Sequence, residues 1–235
     1  MRRRFPAAAI VAIDFSSRSV SIARELQQRA PAMRNIRFLV ADLATRGLSK
    51  KVGHDFDFVS CHGVLSYIPV PERALGNLAR CLKPDGALYL GVNGAHHFSE
   101  SWREFLPAFG FDMAELRDGP YLRELLRLCD AVVGNRGDAR HAKRNAGYLA
   151  GDLFGPLIQN LPLAGWLRIA RVAGLHFQGN FSSSYALRPA LESDECRLLI
   201  PRSRAELCEL VEILCPAHFH RLVFTRQPAE LPQDK

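Results

Sequence analysis

The sequence predicts an α/β protein built on a doubly wound, mostly parallel sheet that carries a helical insertion. Three observations predict it. Up to about residue 94, short apolar runs alternate with helical patterns, the signature of parallel α/β architecture. Two of those runs end directly in an acid, Asp14 and Asp42. From about 95 to 162 the apolar spacing turns helical and the strand pattern stops.

The elements follow in chain order. Residues 10–13 form an apolar strand ending in Asp14, and Ser16 or Ser17 can cap a helix through about Arg29, with Val20, Ala23 and Leu26 at helical spacing. Residues 35–41 are a second strand, ending in Asp42, and residues 56–61 a third. Pro71 opens a helix whose Leu75, Leu78 and Leu82 face the sheet. Lys83-Pro-Asp-Gly86 is a turn before a fourth strand over 87–92. In the insertion, Trp102, Phe105 and Leu106, then Leu122, Leu125, Leu126, Leu128 and Cys129, suggest helices broken at Pro107, at Gly119-Pro120 and at Gly134 to Gly137. Residues 164–173 are a helix ended by Gly174, 175–178 a short strand, 204–214 a helix and 218–225 a final alternating strand. The chain therefore divides into 1–94, the insertion 95–162, a helix–strand end 163–227 and a polar tail 228–235.

Composition narrows the class. With 48% hydrophobic and 23% charged residues the chain can bury a sizeable core, which excludes collagen-like and disordered classes. The longest apolar run, residues 7–13, is far short of the roughly 18 residues a membrane helix needs. Arg2 to Arg4 imitate a signal peptide without its apolar core, so a cytoplasmic location and no membrane partner are expected. The net charge is +7, the densest run (Arg136, Arg140, Lys143, Arg144) is interrupted by Asp138, and nucleic acid is not indicated. Six cysteines without metal spacing read as reduced thiols, and no metal site is expected.

In a doubly wound sheet, ligands bind outside the carboxyl ends of the strands, so Asp14 and Asp42 would both point into one crevice. The third strand runs into Ser60-Cys-His-Gly63, where the glycine lets backbone approach a ligand. Val11-Ala-Ile-Asp-Phe-Ser16, Asn35-Ile-Arg-Phe38, Ala41-Asp42, the run from Phe56 to Leu65 and Leu82-Lys-Pro-Asp-Gly-Ala-Leu-Tyr-Leu90 together resemble the class I S-adenosylmethionine-dependent methyltransferases over about residues 5–94.

The resemblance implies a Rossmann-like fold and S-adenosylmethionine as cofactor. It assigns Asp14 to the ribose with Phe15 and Ser16 beside it, and Asp42 and Leu43 to the adenine. Ser60, Cys61 and His62 would lie near the methionine moiety. The acceptor, a small molecule or a protein, is not legible, and no catalytic residue is assigned, because displacement at an activated sulfonium methyl needs mainly alignment and desolvation.

One feature departs from the family. Its first strand and glycine-rich loop have no counterpart before Arg2-Arg-Arg-Phe-Pro6, so an N-terminally truncated domain is expected, with unpaired edges on the strands ending at Asp14 and Cys61 unless these pair directly.

Plainer readings stand beside these. Asp14 and Asp42 can be turn residues, and His62 a general base or a backbone-bonded histidine. His96, His97, His218 and His220 fit surface or strand-face positions, and Trp166 and Tyr148 packing. A remnant without cofactor and a nicotinamide-dependent oxidoreductase are the rival functions.

Overall fold

A computed structural model describes residues 7–30, 33–108, 110, 127, 151, 155, 157–181 and 203–228. Strand β1 is Ile10–Asp14 and β2 Ile36–Val40, pairing in parallel from Ile10 opposite Ile36 to Asp14 opposite Val40. Helix α1, Ser17–Arg29, joins them; the Ser16 side chain caps it by accepting the Ser19 N–H at 3.2 Å. Arg24 closes the unit, donating to the Phe38 carbonyl at 2.8 Å. On the other sheet face, α2 (Leu48–Val52) buries Leu48 and Val52 against Val11, Ile13 and Leu39.

A second sheet runs in the order β3-β4-β6-β5. Strand β3, Phe56–His62, pairs in parallel with β4, Leu82–Asn93. Between them α3, Pro71–Cys81, packs its buried face, including Leu75 and Leu78, onto the sheet. Lys83 to Gly86 is not the separate turn expected before the fourth strand. It is a register irregularity inside one long β4, because Phe56 pairs with Leu82 and Phe58 with Ala87. Helix α4 is Phe98–Ala108. Helix α5, Leu163–Val172, precedes Gly174, whose φ of +73° suits a glycine after a helix. Then come β5 (His176–Asn180), α6 (Arg204–Leu214) and β6 (Phe219–Thr225), with β6 antiparallel to both β4 and β5.

Alternation along the strands decides what is buried. Leu88, Leu90 and Val92 of β4, with Leu222 and Phe224 of β6, turn toward α3 and α5 and form the main core with Trp166. The opposite face carries Phe58, 44% exposed, with the partly buried Tyr89, Phe219 and Val223.

Most of the expected insertion, including Leu122 to Cys129, the basic run from Arg136 to Arg144 and Tyr148, lies outside the described residues, as do residues 1–6. Among the described residues no helix is long and apolar enough to cross a membrane.

The sheet is in two pieces. Among the described residues β1 pairs only with β2 and β3 only with β4, so the strands ending at Asp14 and Cys61 do not close on each other. Parallel strands with an open edge recruit other strands. The isolated chain is therefore expected to self-associate with rising concentration, and Phe58→Lys, which puts a charge on the β3 edge strand, to reduce it. Static light scattering over a dilution series checks this; a concentration-independent monomer would count against the open edges.

Candidate functional site

The two strand-end acids come together. Register sets Asp14 beside Val40, two residues before Asp42, and the Ala41 N–H donates to the Asp14 carbonyl at 2.9 Å. Asp14 Oδ1 accepts the Ser16 N–H at 2.8 Å, and Asp42 Oδ1 accepts the Ala44 N–H at 2.8 Å. Both residues thus do make the local turn contacts of the plainer reading. Among the described residues each also keeps its second carboxylate oxygen without a partner, and both are exposed. Such oriented carboxylates can accept hydroxyl or amine donors.

Phe15 projects beside them, 80% exposed. Leu43 is half-buried and packs against both apolar cores. Asn77, buried on α3, pins the loop after β2, donating to the Leu43 carbonyl at 2.6 Å and the Thr45 carbonyl at 2.9 Å.

At the carboxyl end of β3 the expected trio splits. Ser60 and His62 are exposed, whereas Cys61 is 5% exposed and points into the core under α3. The Cys61 thiol therefore does not line the cleft, because strand alternation turns it the other way. Burial pushes the thiol up to about 11, so it is no nucleophile near neutral pH. His62 lies against β4, stacked with Tyr89 and tilted to Phe219, its Nδ1 3.1 Å from the Tyr89 hydroxyl. Gly91 makes room for the ring: a Cβ there would stand 2.4 Å from His62 Nδ1. Gly63, at φ +66°, donates to the Gly91 carbonyl at 3.0 Å and has open space where a side chain would be.

Other polar residues serve the frame. Trp166 is fully buried and donates from Nε1 to the Asn93 carbonyl at 2.8 Å. His220, read as a surface or strand-face residue, lies on the buried face of β6, with Nε2 2.9 Å from Glu212 Oε1 on α6. Neither atom makes a hydrogen bond among the described residues. No local spacing links these residues, and only the fold joins them. Among the described residues no cluster of His, Cys, Asp and Glu could hold a metal. An open cavity lined by Leu167, Arg171, His176, Phe177 and Ala205 sits at the amino end of β5, the wrong end of the sheet for these acids.

A sequence model of a methyltransferase domain family matches residues 1–90. An uncharacterised protein of Synechococcus sp. is 36% identical over 87 residues, covering 37% of this chain and 20% of that protein. PKMT2 from Rickettsia typhi, solved in complex with AdoHcy, superposes with a TM-score of 0.72 at 16% identity over 97% of this chain and 46% of that one. A second structure of PKMT2 gives 0.69 at 15% identity. The fold is that of these methyltransferases, and residues 1–90 match the sequence pattern of a methyltransferase domain family. The matched stretch spans one fifth of the curated relative, and the chain under half of the length of the matched structures.

Proposed function

We propose that this chain binds S-adenosylmethionine and passes its methyl group to an acceptor, a small molecule or a protein. The observation that carries the reading is the pair of exposed, backbone-oriented carboxylates at adjoining strand ends, Asp14 and Asp42. They fit the adenosine half of the cofactor: Asp14 would accept ribose hydroxyls, Asp42 an adenine amine, with the exposed Phe15 ring as an apolar wall. Ser16 and Leu43 flank this half, Ser16 capping α1 and Leu43 anchoring the loop to the core. Ser60, His62 and the backbone of Cys61 would border the methionine half.

When bound, the cofactor supplies a methyl already activated by a sulfonium charge. The residues of this chain orient and desolvate, and none needs to act as a covalent nucleophile. We assign acceptor contacts to residues 95–162, in which α4 is the described helix. The AdoHcy complex of PKMT2 supports the cofactor assignment, and the rival nicotinamide reading gains no support from it.

Calorimetric titration with S-adenosylhomocysteine, and with NAD as the rival, tests the reading. Binding of the first alone is expected. Binding of NAD alone would replace the assignment, and binding of neither would leave a scaffold without cofactor. Asp14→Asn is expected to lose roughly 1.5–3 kcal/mol of charge-assisted hydrogen bonding, an affinity loss of about 10- to 100-fold. The melting temperature without ligand should barely move, because the residue is exposed. Unchanged affinity would remove Asp14 from the site.

A further inference from the structure

The positive charge of this protein is concentrated in one unit of the fold. Residues 1–52 hold eleven Lys and Arg against three Asp and Glu, a net +8, whereas the whole chain carries +7 and the remainder therefore −1. Six of these cations, all among the described residues, lie round the outer edge of the β1–β2 layer. Arg18 and Arg29 stand on the outer face of α1, Arg34 and Arg37 at the entry and edge of β2, and Lys50 and Lys51 on α2. All six are exposed and none is in an ion pair among the described residues. Of the three acids, Asp14 and Asp42 lie at the strand ends, and only Glu25 sits on the belt itself. Arg37 also donates to the Val52 carbonyl, and six cations gathered on one edge with a single carboxylate, Glu25, among them leave a field that an anionic partner neutralises.

We propose that this belt docks a single-stranded nucleic acid through its phosphates. The shape favours that partner over a flat anionic surface. The cations occupy both helical faces and the strand edge between them, so a plane reaches only part of the belt, whereas a flexible polyanion can follow it. Along α1 alone, Arg18 and Arg29 are about 16 Å apart at 1.5 Å per residue, room for several nucleotides. The carboxylates of Asp14 and Asp42 keep the phosphates on the rim rather than in the crevice. Beyond the adjacent Lys50 and Lys51, no contiguous run joins the six cations in the sequence; α1, β2 and α2 assemble them.

The test is fluorescence anisotropy of a labelled single-stranded RNA of about 20 nucleotides, without methyl donor, so its outcome is independent of the proposed activity. The expected result is binding that weakens with salt. Arg18→Glu/Arg29→Glu should raise the dissociation constant about 10-fold or more and flatten the log–log salt slope by about 1.4, near 0.7 per lost phosphate contact. Arg171→Glu/Arg221→Glu, an equal charge change on exposed residues elsewhere, should change it less than about twofold. Lys50→Glu/Lys51→Glu repeats the test if the α1 variant melts early. Equal losses in the belt and control variants, salt-insensitive binding or no binding would each overturn the proposal. So would tighter binding to phosphatidylcholine–phosphatidylserine vesicles than to RNA.

Discussion

Trp166→Ala should lower the unfolding free energy by about 3–5 kcal/mol, the usual cost of emptying a buried aromatic site. Trp166 is fully buried on α5 within the cluster that holds Leu88, Leu90 and Phe224, so every wall of the cavity is a strand or helix that cannot collapse freely. Its indole N–H donates to the Asn93 carbonyl at 2.8 Å, near the end of β4, and truncation leaves that acceptor unpaired. Against the total of roughly 5–15 kcal/mol typical of a domain, this is a large fraction. Trp166→Phe separates the two parts. It keeps most of the volume, loses the hydrogen bond, and should cost roughly 1–3 kcal/mol. Urea unfolding of the three proteins measures both steps; an Ala variant within about 1 kcal/mol of wild type would mean that Trp166 does not tie α5 to the sheet.

The elements that were legible in the sequence are those whose signals are local. Ser16 caps α1, Pro71 opens α3, Gly174 follows α5, and the helix over 204–214 has the expected bounds, with a Ser203–Glu206 capping box at its start. Strand ends carrying Asp14 and Asp42 were legible because a buried run that stops at an acid marks its own carboxyl end. What failed depended on pairing. Lys83-Pro-Asp-Gly86 has turn composition, yet β3 holds Leu82 and Ala87 in one ladder, and the turn survives only as a register shift. Cys61 looked like a cleft residue because its neighbours are, but period-2 alternation sends it to the core while Ser60 and His62 stay out. Gly91 carried no signal by itself; its reason is a His62 ring contributed by another strand. The basic belt was missed because its cations are dispersed along the chain and meet only across α1, β2 and α2.

Glu212→Ala should cost roughly 2–4 kcal/mol at neutral pH, because this one carboxylate serves two buried partners. Its Oε2 accepts the Leu163 N–H at 2.8 Å. Helix α5 begins after Pro162 with no side-chain cap of its own, so a carboxylate from α6 satisfies its first orphan donor and sits at the positive end of its dipole. Its Oε1 faces His220 Nε2 at 2.9 Å in a fully buried position, with Asn180 on the other side of the ring. Burial alone raises the Glu212 carboxyl, but the contact with His220, the Leu163 N–H and the charges of His220 and His96 outweigh it and hold the group below its ordinary value. A carboxylate depressed on folding contributes stability above its unfolded pKa and loses it as pH falls through the folded one. Wild type should therefore lose this contribution on acidification below the ordinary glutamate range. Glu212→Gln retains an acceptor for the Leu163 N–H but cannot titrate. It should be less destabilising than Ala at neutral pH, and its difference from wild type should shrink as pH falls toward about 3. Denaturant unfolding of wild type and both variants across pH measures this. A Gln difference that stays constant or grows as pH falls below the ordinary glutamate value of about 4.3 would mean that the Glu212 charge contributes nothing to holding α5 and α6 against β6.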